Sequence, residues 1–298
     1  MTLRLATRRS PLALRQAERV RDALVARGVN CELIEVTSSG DRDQSTPLAQ
    51  LGGQGIFAIE VQRAVLEGRA DAAVHSAKDL PSTTPEGLAI ACVPERRDPA
   101  DVLVGRALAG LGPGATVATG SPRRRALLLS RRPDLRVVEL RGNMATRLST
   151  VGRDGVDAIV TAVAALERLD QSELIAERLE PSWFTPQVGQ GALCVEARAD
   201  DRDSLELLAP LSDPAAWQTL HAERAFLRSL GAGCAVPAGA HAMLVDGVLA
   251  LSAVLLAPDG ERVARAQVSG RDATEVGEQA ARELMSRPDV REFWSERS

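Results

Sequence analysis

Ala6-Thr7-Arg8-Arg9-Ser10-Pro11 is the stretch on which the fold turns. A short apolar run from Thr2 to Ala6 leads into it, and beyond it apolar residues recur at Leu14, Ala17, Val20 and Leu24, the spacing of one helix face. Serine followed by proline is a strong start signal. The serine oxygen accepts from an otherwise unpaired backbone N–H, and proline lacks the N–H that would go unpaired. Gly28 closes the helix. Moving outward, Cys31 to Val36 alternates as a strand and Phe57 to Glu67 reads as a helix after the glycine-rich loop Leu51-Gly52-Gly53-Gln54-Gly55. Asp71 to His75 and Leu88 to Val93 are further strands, and Pro94-Glu95-Arg96-Arg97-Asp98-Pro99 reads as a linker. This β/α alternation predicts an α/β unit whose mostly parallel sheet is covered by helices.

After the linker the same grammar returns. Strands are expected at Asp101 to Val104, Ala115 to Ala118, Arg136 to Leu140 and Val156 to Thr161, with a helix opening at Ser121-Pro122 and another running through Leu169. Ala118-Thr119-Gly120-Ser121-Pro122-Arg123-Arg124 echoes the opening stretch at the same kind of strand-to-helix junction; duplication and coincidence both account for so short a match. Gly191 to Ala197 is another apolar strand, and a helix follows from Asp213 to Leu230. The pattern then changes. Alternating runs at His241 to Val245, Val248 to Leu256 and Arg262 to Val268 are separated by Asp246-Gly247 and Pro258-Asp259-Gly260, which signal hairpins and a three-stranded antiparallel meander. A helix from Ala273 to Met285 packs on it, making a small α+β third domain.

The chain has 298 residues, 45% of them apolar, enough for two or three cores. Arginines by position 8 and no apolar h-region speak against a signal peptide, and the uncharged run Ser229 to Val245 is too short and too rich in glycine and proline to span a membrane, so a cytoplasmic protein is expected. Four cysteines without a C-x-x-C pair, and three histidines scattered at 75, 221 and 241, argue against zinc and against a disulfide framework. A net charge of −4 with 2% aromatics provides no basic, base-stacking face for nucleic acid. Of the 36 basic residues only Lys78 is lysine. That points to a position where a compact ammonium matters.

Arg8, Arg123, Arg124, Arg141 and Arg147 fall at strand ends or loops, where open α/β sheets place ligands. Guanidinium forks match carboxylates, so a ligand with several carboxylates suits this set better than a single phosphate. His75-Ser76-Ala77-Lys78-Asp79 follows a buried strand and pairs the only lysine with a carboxylate, a candidate acid/base or cation-stabilising site. Gly231-Ala232-Gly233-Cys234-Ala235-Val236-Pro237-Ala238-Gly239 presents one thiol in a small-residue loop beyond a helix C-terminus. That end of the dipole does nothing to form a thiolate, so a cysteine nucleophile is disfavoured there and a small buried residue in a turn is the plain alternative. Cys31, Cys92 and Cys194 lie in apolar runs and read as core.

Ala6 to Leu14, His75 to Asp79, Leu140-Arg141-Gly142-Asn143 with Thr146-Arg147-Leu148, Val188-Gly189-Gln190-Gly191-Ala192, and Gly233-Cys234 with Val236-Pro237 together resemble the porphobilinogen deaminase (hydroxymethylbilane synthase) family, in order and spacing over nearly the whole chain. The resemblance implies an enzyme of tetrapyrrole (haem) biosynthesis that joins four porphobilinogen molecules head to tail with loss of ammonia and releases hydroxymethylbilane. It implies a dipyrromethane cofactor held through a thioether by Cys234. It makes Asp79, Lys78 and Arg8 catalytic, with Asp79 stabilising the cationic azafulvene left when ammonia departs. Ser76, Lys78, Asp79, Thr119, Ser121, Arg123, Arg124, Arg141 and Gly142 would hold the cofactor, and Arg8, Ser10, Phe57, Arg141, Arg147, Arg168 and Gln190 the substrate; no metal is implied. The fold implied has two α/β lobes like those of type II periplasmic binding proteins, domain 1 at 1–95 and 191–210 and domain 2 at 99–187, plus the cysteine-bearing domain 3 at 213–298, in a monomer. Gln50 and Gln54 stand where the family often has lysine, Gly120 where serine is frequent and Pro122 where leucine is frequent. A non-catalytic anion binder on the same two-lobed scaffold and a cysteine-dependent acyltransferase using Cys234 with His221 or His241 as base are the alternatives, and an intact mass separates all three.

Overall fold

The computed structural model describes residues 2–37, 55, 58–231 and 237–295. Cys234, Phe57, Gln50 and Gln54 lie outside these. Contacts group the described chain into two compact units, Met1–Arg97 with Gly191–Trp217, and Asp98–Gln190 with Gln218–Ser298.

In the first unit β1 (Thr2–Arg8) pairs in parallel with β2 (Asn30–Val36) on one side and β3 (Ala72–Ser76) on the other. β10 (Leu193–Arg198) lies antiparallel between β3 and β4 (Leu88–Cys92), completing the order β2-β1-β3-β10-β4. Side chains alternate across β1, so its two faces need two covers. Leu3 and Leu5 pack with Ala17, Val20 and Leu24 of α1 (Pro11–Val25), whereas Ala6 packs with Val61, Ala64 and Val65 of α2 (Ile59–Leu66). Ser10 is the N-cap of α1, accepting from the Ala13 N–H, and Gly28 lies at φ +81°, the left-handed stop expected of it. α6 (Arg202–Leu208) follows β10 and is capped by Asp201.

The second unit repeats the plan. Its sheet runs β7 (Arg136–Val138), β6 (Thr116–Ala118), β8 (Ala158–Ala162), β5 (Asp101–Val104), β9 (Ile175–Leu179). β6 pairs in parallel with β7 and β8, and β5 pairs antiparallel with β8 and β9. Each five-stranded sheet is therefore mixed, with four strands aligned and one reversed, a refinement of the mostly parallel sheet expected from the sequence. In sequence, the reversed strands β10 and β5 are the first strands after the chain passes from one unit to the other. α3 (Pro122–Arg131) starts from the Ser121 cap as α1 does from Ser10, and α4 (Met144–Leu148) and α5 (Val163–Arg168) follow β7 and β8.

The same unit contains the antiparallel sheet β11 (Ala238–Val245), β12 (Val248–Leu256), β13 (Val263–Gly270), flanked by α7 (Pro214–Ser229), α8 (Ala273–Ser286) and α9 (Pro288–Ser295). Asp246 and Gly247 take φ of +51° and +73°, the two positive values that a tight Asp-Gly hairpin requires. Val254 and Leu256 of β12 share a core with Leu127 and Leu128 of α3. Four elements went unread in the sequence: β9, α4, α6 and α9. β9 pairs only with β5, and its edge position tolerates the charged pair Glu177-Arg178 that hides a strand pattern. No helix among the described residues is long and apolar enough to cross a membrane.

Candidate functional site

Parallel neighbours end on the same side of a sheet, so β1 brings Arg8 beside Ser76 at the end of β3. A cleft opens there, and Arg8, Ser10, Gln16, His75, Ser76 and Asp79 are among the residues that line it. The Ser10 oxygen accepts the Ala13 N–H at 3.3 Å, which leaves its own proton available for an acceptor in the cleft. Ser76 Oγ sits 2.8 Å from Gln16 Nε2 and 3.0 Å from Gln16 Oε1. Ala77 to Asp79 form one turn of 3-10 helix, pinned by the Ala77 N–H on the Ala192 carbonyl at 3.0 Å and by buried Leu80. That turn holds Lys78 and Asp79 half-buried at the strand end. Behind it, buried His75 places Nε2 3.3 Å from Oε2 of buried Glu196, and the same oxygen accepts from Gln62 Nε2 at 2.8 Å.

In the second unit Thr119 and Ser121 stand at the equivalent junction, with the Ser121 N–H donating to Thr119 Oγ1 at 3.2 Å and the Ser121 oxygen capping α3 through the Arg124 N–H. Arg123 and Arg124 are 3% and 6% exposed. Neither presents an open fork. Arg123 Nη2 donates to Asp101 Oδ2 at 2.8 Å and Nη1 to the Thr185 carbonyl at 2.6 Å. Arg124 Nε donates to Asp101 Oδ1 at 2.8 Å, Nη1 to the Val160 carbonyl at 3.1 Å and Nη2 to Gln190 Oε1 at 3.3 Å. Gln190 in turn donates to Asp101 Oδ1 at 3.0 Å and to the Pro99 carbonyl at 2.7 Å. One carboxylate, two backbone carbonyls and the Gln190 amide oxygen thus engage five of the ten N–H donors of the two forks.

Burial alone would raise the Asp101 carboxyl, but the Arg123 and Arg124 charges outweigh it and hold the group below its ordinary range. Burial pushes the Arg123 guanidinium down; Asp101 opposes this and Arg124 adds to it. The cluster of Asp101, Arg123 and Arg124 carries one more positive than negative charge, and Arg123 Nε is buried with no hydrogen-bond partner. Arg141 lies 3.7 Å from Glu139 with its side chain 23% exposed, and Arg147 Nε donates to the Gly142 carbonyl at 2.8 Å. Arg168 is buried at the end of α5. A Cβ at Gly120 would sit 2.6 Å from the Leu140 carbonyl oxygen, so the close passage of β7's exit explains glycine there. Burial raises the Cys92 thiol to about 12, which makes it inert as the core reading expects.

Sequence reading had not singled out Asp101 or Gln16. A lone carboxylate heading the buried run Asp101-Val102-Leu103-Val104 was the available signal for the first. Gln16, on the apolar face of α1 and 4% exposed, was the signal for the second. No group of three or more His, Cys, Asp or Glu among the described residues could hold a metal ion.

A family model described as "Porphobilinogen deaminase, dipyromethane cofactor binding domain" matches residues 3–206, and another, "Porphobilinogen deaminase, C-terminal domain", matches 217–286. The porphobilinogen deaminase of Roseiflexus castenholzii is 46% identical over 291 residues, 95% of this chain and 96% of its own. That of Syntrophobacter fumaroxidans is 42% identical over 290 residues, 95% and 94% of the two chains. Among solved structures, the methionine-binding protein MetQ aligns with 73% of this chain and 90% of its own at 11% identity, with a TM-score of 0.46. With both family models matched in sequence and relatives aligned along nearly their whole length, the chain belongs to the porphobilinogen deaminase family of enzymes.

Proposed function

We propose that this enzyme joins four porphobilinogen molecules head to tail, losing one ammonia at each step, and releases hydroxymethylbilane. The observation that carries the reading is the first-unit cleft, where Arg8 and Asp79 line one opening at the ends of β1 and β3. Porphobilinogen carries two carboxylates and an aminomethyl arm, and this cleft offers a cation for the former and an anion for the latter. Ammonia departs with the electrons of its C–N bond, leaving positive charge on the substrate's methylene carbon, shared with the ring nitrogen. The Asp79 carboxylate, fixed on a pinned turn, stabilises that charge and accepts the ring N–H. Arg8 and Lys78 hold substrate carboxylates and keep the reacting carbon over Asp79, and the Ser10 hydroxyl donates its remaining proton to a carboxylate oxygen.

The dipyrromethane for which the matched domain is named would supply, when bound, the pyrrole carbon to which the first substrate joins. Its acidic side chains fit the second unit, whose buried cluster has an excess positive charge and an unpartnered Arg123 Nε. Thr119, Ser121, Arg123, Arg124, Arg141 and Gly142, with Ser76 and Lys78 of the first unit, would hold it, and Cys234 would bind it covalently. Arg147, Arg168, Gln190 and Phe57 complete the substrate set. The reading includes three domains, a monomer and a cytoplasmic location.

Intact mass tests it. The purified parent carries the extra mass of two pyrrole rings and consumes porphobilinogen, whereas Cys234→Ala folds, lacks that mass and makes no product. Extra mass retained by Cys234→Ala would move the attachment to Cys31, Cys92 or Cys194, and a parent without it would overturn the reading.

A further inference from the structure

Arg123 and Arg124 are consecutive residues in the first turn of α3, and consecutive helical side chains leave the axis in different directions. Their like charges also repel. In this chain the two guanidinium groups nonetheless converge, and the group between them is Asp101, whose Oδ2 takes Arg123 and whose Oδ1 takes Arg124 at 2.8 Å each. Asp101 is 0% exposed, so both of these contacts lie in the interior of the unit. Its own direction is set independently: it heads β5, between β8 and β9, and Gln190 Nε2 anchors Oδ1 while also holding the Pro99 carbonyl two residues upstream.

We propose that Asp101 is a positioning residue, a buried carboxylate that draws two diverging arginines onto one point and fixes which of their remaining donors face an acidic ligand. The inference rests on the reading that Arg123 and Arg124 contribute to holding the ligand. Asp101 touches no ligand; its effect passes through both arginines. It also tunes the charge of the cluster, since one carboxylate against two guanidinium groups leaves a single net positive charge. Without it two buried cations would face each other and separate toward whatever oxygens the backbone offers.

Three variants test this, each expressed in full length and followed by intact mass, melting curve and steady-state kinetics on porphobilinogen. Asp101→Asn keeps the shape and discards the charge. Asp101→Glu keeps the charge and displaces it by one methylene. Leu284→Ala, a buried core truncation in α8 away from the cluster, supplies the effect of lost stability alone. The expected result is that Asp101→Asn and Asp101→Glu are recovered with a reduced fraction carrying the pyrrole mass. In the loaded fraction KM rises by roughly tenfold or more, the scale of one misdirected charge-assisted hydrogen bond, while kcat changes less. Leu284→Ala at a similar melting temperature keeps parental loading and KM.

Parental loading and KM in a folded Asp101 variant would overturn the inference. So would matching losses in Leu284→Ala, or failure of both Asp101 variants to fold, because Asp101 would then serve stability only. If the parent itself carries no pyrrole mass, the underlying reading of function fails instead, and the two failures are told apart by that one measurement.

Discussion

At the scale of single residues, the charge of Asp79 is what the proposed chemistry requires. Asp79→Asn preserves size and an acceptor, so binding through the arginines survives. The lost electrostatic contact is expected to lower kcat by about 10²–10³ with a smaller change in KM. Near-normal kcat with a lowered melting temperature would instead mark Asp79 as a turn-stabilising carboxylate. A second carboxylate acts on stability alone. Asp71, 5% exposed, takes the Arg4 side chain at 2.7 Å and the Arg4 backbone N–H at 2.8 Å. Burial would raise its carboxyl, but the hydrogen bonds and charge of Arg4, with Arg198 beyond, hold it below the usual 3.8. A carboxylate with a depressed folded-state pKa adds stability above its unfolded pKa and loses it as pH falls through the folded value. Asp71→Asn should therefore melt lower than the parent at pH 7, with the gap closing as pH drops below about 4. A constant gap across that range would show that shape, not charge, is what Asp71 supplies.

At the scale of elements, backbone contact between helices sets a limit on side-chain size. Gly277 lies inside α8, and a Cβ there would overlap the Ala222 carbonyl and the Phe226 amide of α7. Alanine in a helix interior normally gains about 1 kcal/mol over glycine. Here that gain is opposed by forcing two packed backbones apart, which costs about 1–3 kcal/mol, so Gly277→Ala should melt at a lower temperature. A raised melting temperature would mean the helices part easily. Much of this level was legible in the sequence: Ser10-Pro11, Ser121-Pro122 and Asp246-Gly247 each carry a local chemistry that fixes one turn, and the structure keeps all three. What depends on distant partners was hidden. The convergence of Arg123 and Arg124 on Asp101 spans more than twenty positions in sequence, and nothing local says that those forks are already occupied. The orders β2-β1-β3-β10-β4 and β7-β6-β8-β5-β9 are likewise long-range facts, which strand periodicity cannot encode.

At the scale of the whole molecule, the sheet of the first unit is not contiguous in sequence. β4 has β10 as its sole neighbour, so residues 1–97 alone leave Leu88 to Cys92 without a backbone partner although their native environment is apolar. That fragment is expected to show no cooperative thermal transition by circular dichroism, and joining 191–217 to it through a short linker should restore one. A cooperative melt of 1–97 by itself would show that β10 is dispensable. The same interruption governs how the chain leaves the ribosome. β10 emerges about a hundred residues after β4, and at a synthesis rate on the order of 5–20 residues per second the nascent sheet waits on the order of 5–20 s for its fifth and last strand. During that interval β5 to β9, all encoded in between, can assemble into a finished sheet. The five-stranded sheet that is begun first is thus completed second, and until then β3 and β4 expose strand edges that a chaperone, or another nascent chain, can occupy.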